Sequence, residues 1–306
     1  MLQFSASCTH AVRSSPAPFP HTNSVNFDEY CQQKAAPPGS STYYALRRAP
    51  AASQPRLTAL FALRREFEET VKEVSDPAIS RTKLAWWQNE LGALASGSPS
   101  HPVSKALAAS SPDVKAEYPA LQALLTGFEM DLDQARYLDY PNLRRYVQAV
   151  GGTFASLVAR AANKDTFTDG AKAGTQAPPW SAPLGEALLL AQFVVETGND
   201  ARHGRIYIPV DEMQRFNVTA ADLINRKYTD AFTELMRFQT KRARDALQSA
   251  LAAMPRNERR AQRTLLAQAA LASALLDEIE RDGYHVLHQR IALTPIRKLW
   301  IAWRAR

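Results

Sequence analysis

The stretch AQFVVETGNDARHGRIYIPVDEM, residues 191–213, begins as an apolar helix and ends in charge. The apolar run leads directly into Glu196 and Asp200, four residues apart and so on one helix face. Arg202, His203 and Arg205 follow at once. Carboxylates beside three basic side chains suit a site where Mg2+ bridges protein oxygens to a diphosphate. Arginines would neutralise the remaining phosphate charge. The plainer alternative is a helix end with an exposed cluster of ion pairs, and these residues alone leave both open.

Two upstream segments share the theme. LFALRREFEETVKE, residues 60–73, follows a helical period and carries Glu66, Glu68, Glu69 and Glu73. Glu69 and Glu73 are neighbours on one face, whereas Glu68 is paired with Lys72. A solvated charged face is the simpler reading. GSSTYYALRRAP, residues 39–50, sets Gly, Ser and Thr before a helix-like run, which would turn hydroxyls and N–H groups toward an anion. A helix cap followed by packed tyrosines explains it equally.

The surrounding chain reads as helix. Asp76-Pro77 starts a helix to Ala95 with Leu84, Trp87, Leu91 and Leu94 at helical spacing. Ser111-Pro112 opens another through Leu121, Leu124, Leu125 and Phe128. Asp139 caps a third, from Pro141 to about Ala162. Thr219 with Asp222 resembles a short capping box. Thr229 to Ala253 and Glu258 to Arg281 read as two long helices. Alternating β-branched runs, hairpin turns and fixed-period repeats are missing, so the expectation is all-α and one domain over residues 27–306. Residues 164–182 read as a surface loop or lid. Residues 1–26 lack the apolar core of a secretory signal and read as a disordered tail or an early start codon.

Composition narrows the function classes. With 45% apolar and 22% charged residues in 306, the chain is an ordinary globular protein. Its net charge of +7 favours anionic partners, but no dense Lys/Arg block with interleaved aromatics points to nucleic acid. Cys8 and Cys31 form neither a disulfide framework nor a zinc pattern. The apolar runs are too short to span a bilayer. The expected location is cytoplasmic, and peripheral at a membrane if the ligand is lipid.

In this order and at these separations, the three segments resemble the squalene/phytoene synthase family. The family writes them as Ser-Ser-Phe-Tyr-Tyr ending in Leu-Pro, as Tyr-Ala-Phe-Cys-Arg-x-Val-Asp-Asp-x-x-Asp-Glu, and as Asn-Ile-x-Arg-Asp-x-x-Glu-Asp before Arg-Gly-Arg-Ile-Tyr-Leu-Pro. LAWWQNEL (84–91), SHPVSKAL (100–107), LRRYVQAVGGTFASLVAR (143–160) and GYHVLHQRIALTPIRKLWIAWRA (283–305) are similar to further family segments. The resemblance implies a single-domain isoprenoid synthase-type helical bundle around a central apolar cavity. It implies two acidic motifs holding Mg2+ against the diphosphates of two isoprenyl chains, which the family joins head to head.

Carried over by position, the first motif's ligand aspartates fall on Glu68 and Lys72, and its preceding arginine on Arg65. The family tyrosine seven residues before the first ligand is Phe61. In the second motif the aspartates fall on Glu196 and Asp200, the metal-touching asparagine on Gln192, and an arginine on Val195. Ser41, Tyr44, Tyr146, Arg202, Gly204, Arg205 and Tyr207 agree with the family, while Gly151-Gly152 replaces Ala-Gly. The resemblance therefore implies Arg65, Tyr146 and Arg205 as catalytic, and Ser41, Arg65, Lys72, Arg202 and Arg205 as diphosphate-binding. It implies Glu68, Gln192, Glu196 and Asp200 as metal ligands. An ammonium at Lys72 would repel Mg2+ yet attract phosphate. The loss also resembles a divergent branch that includes a mitochondrial complex I assembly factor. A lipid-binding or assembly role with a protein partner is thus the alternative to Mg2+-dependent prenyl transfer.

Overall fold

Local caps start most of the helices where the sequence expects them. The computed structural model describes residues 26–305 except 75, 112, 135 and 164–175. The tail expected over 1–26 lies outside these residues apart from Asn26, which caps the first helix, and so does most of the expected lid. In chain order the helices are α1 (Phe27–Ala35), α2 (Ser41–Leu46), α3 (Gln54–Lys72), α4 (Pro77–Ser96), α5 (Pro102–Ser110), α6 (Val114–Asp133) and α7 (Tyr140–Val147). There follow α8 (Thr153–Ala162), α9 (Ser181–Arg202), α10 (Val210–Arg215), α11 (Ala220–Ile224), α12 (Asp230–Ala253), α13 (Arg263–Arg281) and α14 (Pro295–Arg304). The extended pairing seen among the described residues is an isolated bridge from Arg136 to Ile206, so the all-α expectation stands.

Asp76 accepts from the Ala78 N–H at 2.8 Å, Asp139 from Asn142 at 2.8 Å, and Thr229 from Phe232 at 3.1 Å. Thr219 and Asp222 form the full capping box. Glu90 links two segments the sequence singled out: its carboxylate accepts from the N–H groups of Ser100 and His101, both at 2.8 Å, at the start of α5. Each cap satisfies donors that a helix start leaves unpaired.

Three expectations shift. The helix expected from 141 to 162 is divided by a π turn at Gln148–Gly152. The cause is a helix crossing: a Cβ on Gly151 would lie 2.5 Å from the carbonyl oxygen of Gly185 in α9. Backbone meets backbone there, and the extra residue in the turn accommodates it. The helix expected to start at Glu258 starts at Arg263, because Glu258 instead accepts from the Trp180 indole N–H at 2.8 Å. That same bond ties down the end of the expected 164–182 loop, where α9 already begins at Ser181.

α9 runs through the middle, packing on the π turn, α8, α12 and α13, while α3 packs on α1, α5, α6 and α8. Their facing sides meet over an aromatic interior. Phe61 of α3 meets Phe154 of α8 edge-on at 4.8 Å, and Tyr146, Phe193 and Tyr207 stack with one another, with Tyr137 stacked on Tyr207. A hollow lined by Leu190, Phe193, Thr197 and Tyr207 measures about 10 Å3, room for one water. A groove of about 410 Å3 lies instead along α6, the π turn and the first turns of α9.

The Gly151–Gly185 crossing leaves no room for a methyl group on either helix. Gly185→Ala should cost about 1–3 kcal/mol through overpacking, read as a lowered urea midpoint with an unchanged slope. Gly97→Ala, at a left-handed cap in open space, serves as the comparison for pure backbone cost.

Candidate functional site

Phe61, Arg64, Glu68 and Lys72 recur at spacings of three and four along α3, so they share the face turned toward α9. Gln192, Glu196 and Asp200 recur at four along α9. The fold brings the two rows together. The Lys72 ammonium lies 3.2 Å from Asp200 Oδ1 and 3.5 Å from Glu68 Oε1. The Gln192 amide donates to Glu68 Oε1 at 3.2 Å and accepts from the Arg64 guanidinium at 3.1 Å. Arg64 also covers the Phe154 ring at 4.8 Å.

The electrostatics follow from burial and pairing. Burial acts to lower the Lys72 pKa, but Asp200, Glu68 and Asp131 outweigh it and raise the pKa, so the ammonium stays charged. Glu68 is likewise desolvated, yet Lys72, Arg64 and Arg65 hold its carboxyl below the usual range. Asp200 is pushed up to about 6, because burial there exceeds the help of Lys72, and Glu196 and Glu68 add repulsion. Its Oδ2 is buried without a hydrogen-bond partner.

A second ionic knot lies beneath. Arg205 donates to the Asp131 carbonyl and to the Val71 carbonyl, each at 2.8 Å, and pairs with the Asp131 carboxylate at 2.8 Å. Tyr207 donates to the same carboxylate at 2.7 Å. Burial raises the Asp131 pKa, with Arg205 and Tyr207 opposing. Asp131 escaped the sequence reading. Its signal was position: it falls on the buried face of α6 marked by Leu124 and Phe128.

The expected site residues therefore divide. Glu68, Lys72, Gln192 and Asp200 converge. Glu196 lies beside them but pairs with Arg290 at 2.8 Å. Arg205, expected on the diphosphate, is turned into the clamp between α3 and α6. Arg65, expected as both catalytic and diphosphate-binding, is directed along its own helix to Glu69 at 2.7 Å and Glu73 at 2.8 Å, and reaches the cluster only through Glu68 at 3.7 Å. Arg64, one residue and about 100° earlier on the helix, takes the inward place. Arg202 donates to the Leu287 carbonyl and to Asn199, both at 3.2 Å, and so fastens the 284–288 segment. Ser41 opens α2 and is exposed, with Ser40 rather than Ser41 as the cap. Tyr146 is buried in the aromatic stack, and burial holds its phenol far from ionisation.

The expected Mg2+ ligand set does not assemble. Among the described residues, no group of three or more His, Cys, Asp or Glu is placed to hold a metal ion. The reason is on α3: Lys72 stands between Glu68 and Asp200, putting fixed positive charge where a divalent ion needs ligand oxygens. Glu196 is separately engaged by Arg290.

An all-helical bundle whose two acidic helices face each other through one polar cluster has the architecture of an isoprenoid synthase. The squalene/phytoene synthase family model matches residues 35–297, and the chain belongs to that family. It is 29% identical to a phytoene synthase of Arthrospira platensis, over 94% of this chain and 96% of that protein. It is 25% identical to a 15-cis-phytoene synthase of Synechocystis, over 95% and 88%. The fold is similar to that of a dehydrosqualene synthase solved in complex with ligand, with TM-score 0.73, 20% identity, and coverage of 91% and 95%. It is also similar to squalene synthase HpnC from Alicyclobacillus acidocaldarius, with TM-score 0.67, 19% identity, and coverage of 84% and 94%.

Asp131→Ala would leave the Arg205 guanidinium unpaired inside the bundle. Stripping one partner from a buried pair costs about 3–5 kcal/mol, so urea unfolding of this variant should show a loss of that size. A loss below 1 kcal/mol, on the order of an exposed ion pair, would return Arg205 to the diphosphate role.

Proposed function

We propose that this family member takes isoprenyl diphosphates where α3 faces α9, and holds the diphosphate with side-chain cations in place of bridging Mg2+. The observation that carries this reading is the Lys72 ammonium set between Glu68 and Asp200, beside Arg64 on Gln192. Family membership supplies the substrate class, that of prenyltransferase-type proteins. Lys72 and Arg64 offer donors to phosphate oxygens on exchanging their present partners, a geometry that Arg makes bidentate. The aromatic residues Phe61, Phe154 and Phe193 would line the prenyl chain only once these packed rings, whose hollow now holds about one water, part to admit it. Ionisation of an allylic diphosphate puts negative charge on the departing group. Fixed cations in a water-poor site stabilise that charge without reorganising.

A second reading has its own observation. Gln192, Glu196 and Asp200 keep an amide and two carboxylates at the family spacing on α9, which favours Mg2+-dependent head-to-head prenyl transfer. The complete loss of turnover, with the fold kept as a lipid-binding or assembly factor, is what Lys72 and Phe61 would produce if no diphosphate binds.

Calorimetric titration with geranyl diphosphate, in Mg2+ or in EDTA, separates these. We expect binding in both, with Kd values within about threefold. Lys72→Met and Arg64→Met should each weaken binding roughly tenfold or more, since a charge-assisted hydrogen bond contributes about 1.5–3 kcal/mol. Lys72→Asp should make binding depend on Mg2+. Binding that requires Mg2+ in the parent chain, with pyrophosphate released from farnesyl diphosphate, would establish the second reading. No binding in either buffer by a protein with helical circular dichroism would remove the diphosphate role.

A further inference from the structure

α14 is apolar on its outward face. Ile296 is 81% exposed, Leu299 56%, Trp300 55% and Trp303 62%, together four of the largest apolar exposures among the described residues. The spacing 296, 299, 300, 303 places them in one stripe along the helix. Burial is confined to the other side, where Ala302 and Leu293 pack with Leu271 of α13 and Ala45 of α2. Scattered apolar residues on a surface need no explanation, but a continuous stripe with two tryptophans does.

The charge that α14 itself carries is of one sign, although Glu278 stands beside it. α14 carries Arg297, Lys298 and Arg304 and no acidic residue. Arg304 lies over the Trp300 ring at 4.5 Å, so a cation and an indole are presented together. Arg290 stands close enough to Lys298 that, with burial, it pushes the Lys298 ammonium down. Arg297 is held by Glu278, and Lys298 donates to the Gly39 carbonyl at 2.9 Å, which anchors the helix to the start of α2. A second copy of the chain docking stripe to stripe would bring these cations against each other. Tryptophan with arginine beside an apolar row is instead the composition of a helix that lies in a lipid interface.

We infer that α14 is an interfacial helix that docks the protein on anionic lipid surfaces, with Ile296, Leu299, Trp300 and Trp303 entering the headgroup boundary. No helix among the described residues is long and apolar enough to cross a membrane. Its placement also relates it to the acidic helices: the guanidinium of Arg290, just ahead of α14, pairs with Glu196 of α9 at 2.8 Å. Docking therefore sets the rim of the α3–α9 site at the lipid surface, where prenyl chains are dissolved. This last step rests on the ligand class proposed above; the docking itself does not.

The test is flotation of the full chain with vesicles of phosphatidylcholine alone, or with phosphatidylglycerol added, and with no prenyl diphosphate present. Binding should require phosphatidylglycerol, weaken at high salt, and shift tryptophan emission to the blue. Trp300→Ser with Trp303→Ser should lower the partition coefficient roughly tenfold or more. Ile296→Asp, which touches no packed side, should do the same with unchanged circular dichroism. Absence of flotation, or variants that float like the parent, would overturn the inference. So would a dimer in light scattering that the same variants dissociate, since a second copy would then own the stripe. Geranyl diphosphate titration in vesicle-free buffer is unaffected by either result, so failure of docking and failure of the ligand class remain separate outcomes.

Discussion

One ammonium group between two carboxylates constrains the centre of this protein. Lys72 sits 3.2 Å from Asp200 and 3.5 Å from Glu68, and the first of these contacts joins the C-terminal ends of α3 and α9. At an effective dielectric near 20 each such contact contributes on the order of 4 kcal/mol of attraction. Desolvating each ion costs several kcal/mol in return. The two are of similar size, so the cluster is a poor source of net stability. What it provides is position: two acidic rows that would repel one another are held face to face. With Arg64 added, two cations stand against Glu68 and Asp200, and the cluster approaches neutrality without a metal.

Several features of the fold exist to make that meeting possible. Gly151 against Gly185 lets α9 approach the π turn to backbone contact. Gly198 is equally tight, since a Cβ there would lie 2.5 Å from the Leu287 Cα. Arg205 then ties the end of α3 to α6 through two carbonyls and Asp131. The helices are thus located by close crossings and by a clamp whose charge is already satisfied. The Lys72 cluster is left as the polar centre between α3 and α9, facing an aromatic interior.

Arginine placement shows how far sequence can reach. The family pattern draws attention to Arg65, and the helical period alone allows either Arg64 or Arg65 on the inner face. The structure sends Arg64 to Gln192 and Phe154, and Arg65 out to Glu69 and Glu73. Glu69 and the nearby Glu66 are themselves anchored by α1, through Lys34 on Glu69 at 2.6 Å and Tyr30 on Glu66 at 2.6 Å. The rotation of α3 is decided by helices distant in sequence. Arg205 and Arg202 follow the same rule, since the resemblance matches their positions while their donors go to backbone carbonyls, the Asp131 carboxylate and the Asn199 amide oxygen.

Sequence by itself determined the helices, their caps and the family, because an N-cap, an apolar period and a motif spacing act over a few residues. The resemblance of the motifs also implied that Lys72 falls where the family holds metal. Only the tertiary structure decided that Lys72 closes onto Asp200 from 128 positions away, and that Asp131 rather than a ligand receives Arg205. The π turn that interrupts the 141–162 helix likewise depends on Gly185 across the crossing. Charge pairing and close packing are set by distance in space, and the chain's order along its length does not encode which carboxylate a given cation will find.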